Sequence, residues 1–413
     1  MGIAEKIKEI EDEMARTQKN KATNGHLGIL KARIAKLRSQ MLEENSGGGG
    51  GGGEGFAVQR SGDGRVALIG FPSVGKSSLL SEMTETKSEA AAYEFTTLTC
   101  IPGNLVYNGT RVQLLDLPGI IEGAAQGKGR GKEVIAVART ADLIVIVLDS
   151  GKEQVNRHRE ILEGELESVG IRLNKQPPNV ALTVKKTGGV RINSTCTLTK
   201  LGEDPERTAR QVLGEYKMHN VDLLFREDIG VDQLIDVIQG NRKYVRCLYV
   251  YNKIDTITIP EMDKLAREPD SIVISVHLKL NLDYFLEKMW EYMGLIRIYT
   301  KRKGAPPDLD DPIVLSSQRG GITVEDATAA ISRELLDVFN FAYVWGTSCK
   351  HSPQRVGLAH VLEDEDVIQI VAKTVKQEAQ SKGYSEKVQA YNSMVAEKRK
   401  ERTKAGKKKR STG

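Results

Sequence analysis

Residues 66–83 run from an apolar tetrapeptide, Val66-Ala67-Leu68-Ile69, through a glycine-bounded turn, Gly70-Phe71-Pro72-Ser73-Val74-Gly75-Lys76-Ser77, into the helix-like stretch Ser78–Met83. The turn fits the pattern G-x-x-x-x-G-K-[ST] at every position. A strand entering it and a helix leaving it form the context in which such a turn cradles phosphate. Backbone N–H groups then converge on anionic oxygens at a helix N-terminus. A chain organised around this unit is constrained to a mostly parallel sheet flanked by helices.

Each position in the turn has an expected task. Gly70 and Gly75 permit the close approach and the bend, and the backbone of Ser73, Val74 and Gly75 surrounds the phosphates. Lys76 reaches the β- and γ-phosphates, the Ser77 hydroxyl ligates Mg²⁺, and Ser78 touches the α-phosphate.

Further motifs follow in a fixed order. Asp116-Leu117-Pro118-Gly119 closes an apolar strand, so that Asp116 would hold the metal through water and the Gly119 N–H would sense a γ-phosphate. Tyr93-Glu94-Phe95-Thr96-Thr97 lies between the two as a candidate switch loop, where a threonine can ligate the metal only while the γ-phosphate is present. Asn252-Lys253-Ile254-Asp255 ends another strand. A carboxylate there accepts from the N1–H and 2-amino group of guanine, a donor pair that adenine lacks, so GTP is favoured over ATP. Asn252 would tie this loop to the phosphate loop and Lys253 would lay its stem on the base. Ser275-Val276 stands where a last backbone contact to the base is expected. Ile120 follows Gly119, where a water-orienting Gln stands in Ras-like enzymes; an aliphatic side chain cannot do that work, so slow turnover is expected.

The 413 residues suffice for several domains, and 28% of them are charged. The net charge of +5 is unevenly placed. Lys398–Gly413 alone carries +8, which leaves the remainder at −3. That tail can contact nucleic acid, serve as a nuclear-import signal or act as a solubilising end. A second basic stretch, Arg16–Arg38, reads either as an RNA-phosphate contact or as a solvated helix face. Cys100, Cys196, Cys247 and Cys349 are widely spaced with no C-x-x-C pair, so neither a zinc site nor a disulfide framework is readable and a reducing, cytoplasmic setting is the default expectation. Cys349 and His351 read as too isolated for metal ligation, and Trp345-Gly346 reads as core packing, with a contact role as the alternative. No apolar run reaches bilayer-spanning length, so no membrane partner is expected.

Composition shifts divide the chain. Residues 1–46 read as a helical hairpin interrupted at Asn24-Gly25, and 47–62 form a linker containing seven consecutive glycines. Residues 63–172 and 243–295 make the two parts of an α/β nucleotide domain. Its expected strands are Val66–Gly70, Asn104–Tyr107, Val112–Asp116, Leu143–Asp149, Cys247–Asn252 and Ile272–Val276, with a hairpin turn at Asn108-Gly109. Residues 173–242 form an α+β insert with strands expected at Val180–Val184 and Ser194–Thr199. Residues 296–373 form a second α+β module with a helix expected over Val324–Phe339, and 374–413 are a basic tail.

The phosphate loop, the stretch Tyr93–Thr99, and DLPGIIEGAAQGKGRG from Asp116 to Gly131 together resemble the developmentally regulated GTP-binding proteins, a eukaryotic branch of the Obg-like GTPases. ARTQKNKAT, the glycine run, IAVARTADLIVIVLD and LEDEDVIQIV extend the resemblance over roughly residues 1–373. MGIAEKI and YVYNKID are similar to the second of two paralogous branches. The resemblance implies a P-loop GTPase domain interrupted by an insert like the second domain of ribosomal protein S5. It also implies a C-terminal TGS domain of β-grasp fold, and it selects Thr97 over Thr96 as the metal-ligating threonine. Lys76, Thr97 and Gly119 become the catalytic set. Association with translating ribosomes is implied too, as is a zinc-finger-bearing regulatory partner with which the chain would form a heterodimer when not monomeric. Some relatives use K⁺ through an Asn in the phosphate loop; Ser73 stands at that position, which leaves K⁺ dependence open. The alternative from another class is an RNA- or ribosome-binding scaffold whose nucleotide site is structural.

Overall fold

The structure, a computed structural model, describes residues 3–18, 23–44, 62–84, 101–117, 137–317 and 321–373. Thr97, Gly119, the glycine run and the tail from 374 lie outside them. The chain divides into two compact units, residues 1–293 and 294–413.

The first unit is built on a parallel sheet. β1 (Gly64–Ile69), β3 (Thr110–Asp116), β4 (Leu143–Asp149), β9 (Lys243–Asn252) and β10 (Ser271–Val273) lie side by side in the order β10-β9-β4-β1-β3, and β2 (Ile101–Tyr107) pairs antiparallel at the edge. Asn108 and Gly109 both take positive φ between β2 and β3, as a two-residue hairpin turn requires. Every residue of β1 and β4 is buried, which tells of a sheet covered on both faces. Alternate residues such as Ile69, Ile144, Ile146, Tyr249 and Tyr251 pack under Leu162 and Leu166 of α4 (Val155–Ser168). α3 (Lys76–Met83) and α8 (Leu282–Met293) contribute the buried Leu79, Leu80, Phe285 and Met289.

Between β4 and β9 the chain leaves the sheet. After β5 (Ile171–Leu173), which pairs with the start of β9, β6 (Val180–Val184), β7 (Val190–Ser194) and β8 (Val221–Phe225) form a separate sheet in the order β6-β8-β7. α5 (Pro205–Glu215) and α6 (Val231–Gln239) cover it. The expected strand at Ser194–Thr199 sits earlier, at Val190–Ser194. The reason is Asp228, whose carboxylate accepts from the Thr199 hydroxyl and N–H at 2.5 and 2.9 Å and from the Lys200 N–H. Those bonds hold 199–200 in a loop and keep the Asp228 carboxyl below its ordinary range.

α1 (Ile3–Arg16) and α2 (Asn24–Glu44) form the N-terminal hairpin, with Asn24-Gly25 opening the second helix rather than interrupting the pair. Ala32 is fully buried in the core of the insert. Lys31 bonds Asp232 at 2.6 Å, Arg33 bonds Glu215 at 2.9 Å, Lys36 donates to the Glu215 carbonyl, and Arg38 bonds Glu11. Lys31, Arg33 and Lys36 therefore tie the second helix to the insert, and Arg38 ties it to the first helix. A buried carboxylate does the same for the insert: Asp236 of α6 accepts two bonds from Arg172 of β5 and one from Arg242 just before β9.

The second unit is a five-stranded mixed sheet. β11 (Leu295–Lys301), β12 (Pro307–Ser316), β13 (Phe339–Trp345), β14 (Gln354–Val356) and β15 (Asp366–Ala372) lie in the order β12-β11-β15-β13-β14, with β11 and β15 parallel at its centre. The helix expected over Val324–Phe339 breaks into α9 (Val324–Ile331) and α10 (Arg333–Asp337). Ser332 is extended, and its hydroxyl accepts the Glu334 N–H to start a new helix. Phe339 already belongs to β13. Trp345 is not core: Ala342 and Val344 face the buried cluster, and period-2 alternation places Trp345 on the opposite face.

Candidate functional site

Because β1, β3, β4 and β9 run parallel and in register, their C-terminal ends meet at one edge: Leu68 pairs with Asp116, Ile69 with Ile146, and Asp149 with Asn252. In open α/β sheets that edge is where ligands bind. The strand-end motifs all open onto it.

Gly70 leaves β1 so close to β4 that a β-carbon on it would lie 2.4 Å from the Val147 carbonyl oxygen. Ser73 and Gly75 take φ of 65° and 96°, left-handed values that are costly for most residues. They fold the backbone back before α3 begins at Lys76. The Lys76 side chain is buried, with Nζ donating to the carbonyls of Gly70 at 2.8 Å and Phe71 at 3.0 Å. Burial pushes its pKa down, and Asp116 opposes that shift. An anionic group at the loop would relieve the same strain. The Ser77 hydroxyl donates to Asp116 Oδ2 at 2.5 Å, while Ser78 is exposed at the mouth of the loop.

On the other side stand Asn252 and the residues after it. Asn252 is buried; its Nδ2 donates to the Val74 carbonyl at 2.9 Å, and its Oδ1 accepts the N–H groups of Lys253 and Val276. Lys253 takes a left-handed conformation and sends Nζ across to the Ser73 carbonyl at 2.8 Å. Asp255 is exposed, and one of its oxygens accepts the Ser275 hydroxyl at 2.6 Å. That bond is the largest cause holding its carboxyl below the ordinary range. The structure thus brings Ser73, Val74, Gly75, Lys76, Ser77, Ser78 and Asp116 to one end of the cleft. Asn252, Lys253, Asp255, Ser275 and Val276 gather at the other.

Two residues of this edge carried no motif. Asp149, buried at the end of β4, accepts the second bond of Lys253 Nζ at 2.7 Å. Next to it the Ser150 hydroxyl and N–H both donate to the Asn252 carbonyl. Their signal was available as a polar pair terminating an unbroken apolar strand.

Residues 65–184 match the family described as 50S ribosome-binding GTPase, residues 187–295 match the C-terminal region of that domain, and residues 296–372 match the TGS domain. With the sheet and loops above, these define a P-loop GTPase that carries a TGS module. Developmentally-regulated GTP-binding protein 2 of Homo sapiens is 61% identical over 373 residues, covering 90% of this chain and 100% of that protein. Developmentally-regulated G-protein 2 of Arabidopsis thaliana is 59% identical over 378 residues, covering 92% of this chain and 93% of that one. The chain belongs to the developmentally regulated GTP-binding protein family and is a GTP-binding protein with a GTPase domain. The YchF GTPase structure of Schizosaccharomyces pombe aligns over 76% of this chain and 99% of that one, at 12% identity and TM-score 0.43, too loosely to add to that assignment.

Proposed function

We propose that this chain is a Mg²⁺-dependent GTP-hydrolysing switch that acts on ribosomes together with a zinc-finger-bearing regulatory partner. The observation that carries the reading is the bridging of the two loops. Asn252 and Lys253 each bond the phosphate loop, at Val74 and Ser73, so base recognition and phosphate grip move as one piece. Asp255 would read the guanine edge, held in place by Ser275. Lys76 would offset charge on the γ-phosphate, where electrostatic positioning is the main source of catalysis in phosphoryl transfer.

The residues present fit a hard divalent cation. Ser77 and Asp116 offer a hydroxyl and a buried carboxylate in contact, an all-oxygen pair suited to Mg²⁺, which keeps several waters when bound. The ion, when bound, would neutralise phosphate charge. Thr97 and Gly119 complete the expected catalytic set, and Ile120 in place of a glutamine favours slow unassisted turnover. K⁺ activation rests on Ser73 alone and is a secondary expectation.

The ribosome reading is supported by the family description matched at residues 65–184. Lys31, Arg33 and Arg38 of the Arg16–Arg38 stretch pair with acids yet keep 38–52% of their side chains exposed, so the stretch stays a candidate RNA-phosphate contact. No helix among the described residues is long and apolar enough to cross a membrane, and we place the protein in the cytoplasm, with the basic tail able to support a nuclear pool. The test is co-sedimentation with ribosomes in GTP, GDP and nucleotide-free states, for the parent and for Ser77→Asn. A switch changes ribosome occupancy with nucleotide and loses that dependence in the variant. Equal occupancy in every state and in the variant would replace the switch with a ribosome-binding scaffold.

A further inference from the structure

Where the hairpin, the insert and the GTPase domain meet, the first unit forms a cavity of about 320 Å³. Its apolar lining comes from Met14 of α1, Ile34 and Ala35 of α2 and Ile235 of α6. Charged groups stand around it, and most of them cancel in pairs. Lys31 pairs with Asp232, Arg38 with Glu11, and Glu167 with Lys175. Arg242, the residue before β9, lines the cavity, whereas the nucleotide loops follow the far end of that ten-residue strand. At the ordinary strand rise the two places are about 30 Å apart.

One positive charge is left over. The Asp236 carboxylate accepts two bonds from Arg172 and one from Arg242 Nε at 3.0 Å, so two guanidinium groups share one carboxylate. Arg172 also donates Nη1 to the Glu167 carbonyl. The Arg242 side chain makes no other hydrogen bond among the described residues, although it is only 8% exposed. Burial pushes its pKa down, and Arg172 adds to that shift against the pull of Asp236. The backbone makes room for this group: Gly170 has a φ of 89°, and a β-carbon there would lie 2.4 Å from Arg242 Nη1.

We infer that this cavity binds a small amphiphilic anion, a short apolar body carrying a phosphate or carboxylate, with the anionic group on Arg242 and the body against Met14, Ile34, Ala35 and Ile235. A cavity of about 300–1,000 Å³ with an apolar lining and a few placed polar groups is the usual form of a small-molecule site. A buried cation without a full set of partners is costly. Its guanidinium fork suits an oxyanion that accepts two parallel N–H bonds. A neutral apolar molecule would leave Arg242 as it is, and an inorganic anion would leave the apolar lining uncovered. Because α1, α2, α6 and Arg242 all line the cavity, an occupant would bridge the hairpin, the insert and the GTPase domain. The inference rests neither on the nucleotide site nor on the ribosome reading.

The test uses the full chain loaded with GDP and Mg²⁺, so that the phosphate loop is filled. Calorimetric titration with hexyl phosphate and with heptanoate is expected to show saturable binding of at least one of them, at one site per chain. The tighter of the two names the headgroup. Inorganic phosphate and hexanol are each expected to bind about tenfold more weakly or worse, because each keeps only one kind of contact. Arg242→Met leaves Arg172 and Asp236 as a neutral pair and is expected to weaken binding about tenfold or more. Ala35→Phe fills the cavity without touching its charges and is expected to abolish binding. The melting temperature of each variant is checked against the parent. The basic stretch 398–413 is the same in every variant, so the differences read the cavity. No saturable binding of either amphiphile, inorganic phosphate binding as tightly as the better amphiphile, or undiminished affinity in either variant would overturn the assignment.

Discussion

The Asn252 amide lies against Gly75: its Nδ2 donates to the neighbouring Val74 carbonyl at 2.9 Å and would stand 2.4 Å from a β-carbon at position 75. The glycine is required by packing as well as by its φ of 96°. Gly75→Ala should therefore cost about 1–2 kcal/mol for the left-handed backbone, and more for the collision. Asn252→Ala should remove the collision. Urea unfolding of both single variants and the double is expected to show positive coupling, the double being less destabilised than the sum by about 0.5–3 kcal/mol. Strict additivity would mean that the two side chains do not share that space.

Base choice rests on Asp255. Asp255→Asn converts one acceptor of the carboxylate into a donor and is expected to exchange preference from GTP to xanthosine triphosphate, measured as competition against labelled GTP.

The same carboxylate gives a pH dependence. Its folded pKa is held down, first by the Ser275 hydroxyl, so its contribution is complete above the unfolded carboxylate pKa and is lost only as pH falls through the lower folded value. Ser275→Ala should move that loss to higher pH, read from GTP affinity across the acidic range. An unchanged profile would remove Ser275 from this role.

Lys76 has the opposite sign. Burial depresses its pKa, so at neutral pH its charge is held at a cost to the nucleotide-free fold. Lys76→Met is expected to melt no lower than the parent without nucleotide, while losing about 2–5 kcal/mol of GTP binding. A fall in melting temperature would show that the bonds to Gly70 and Phe71 outweigh desolvation.

How much of this was legible in the sequence depended on the range of the determining contact. The phosphate loop and N-K-x-D were readable because each encodes a local backbone shape, and the apolar runs of β1 and β4 announced a sheet buried on both faces. The insert strand was displaced by Asp228, which lies about thirty residues from the Thr199 it captures. Asp149 and Ser150 acquire their role only when β4 and β9 pair. Trp345 takes the less favoured of its two sequence readings: alternation with Ala342 and Val344 places it with Phe341 and Tyr343, half-buried on the face opposite the core.

Asp236 tests how the insert is fastened. Its side chain is 4% exposed between Arg172 and Arg242, so Asp236→Ala would leave two guanidinium groups without a counter-charge. About 3–5 kcal/mol of stability should be lost, measured by urea unfolding, and a triple replacement by Met, Leu and Met at 172, 236 and 242 should recover most of it. Failure of that recovery would show that the triad is needed for more than charge balance.

The central claim, a GTPase switch completed outside its own chain, is tested most directly by single-turnover GTP hydrolysis with purified protein, with and without ribosomes, in K⁺ and in Na⁺ buffers. Slow hydrolysis alone and strong acceleration by ribosomes is the expected result. Tight GTP binding with no hydrolysis in any of these conditions would contradict it.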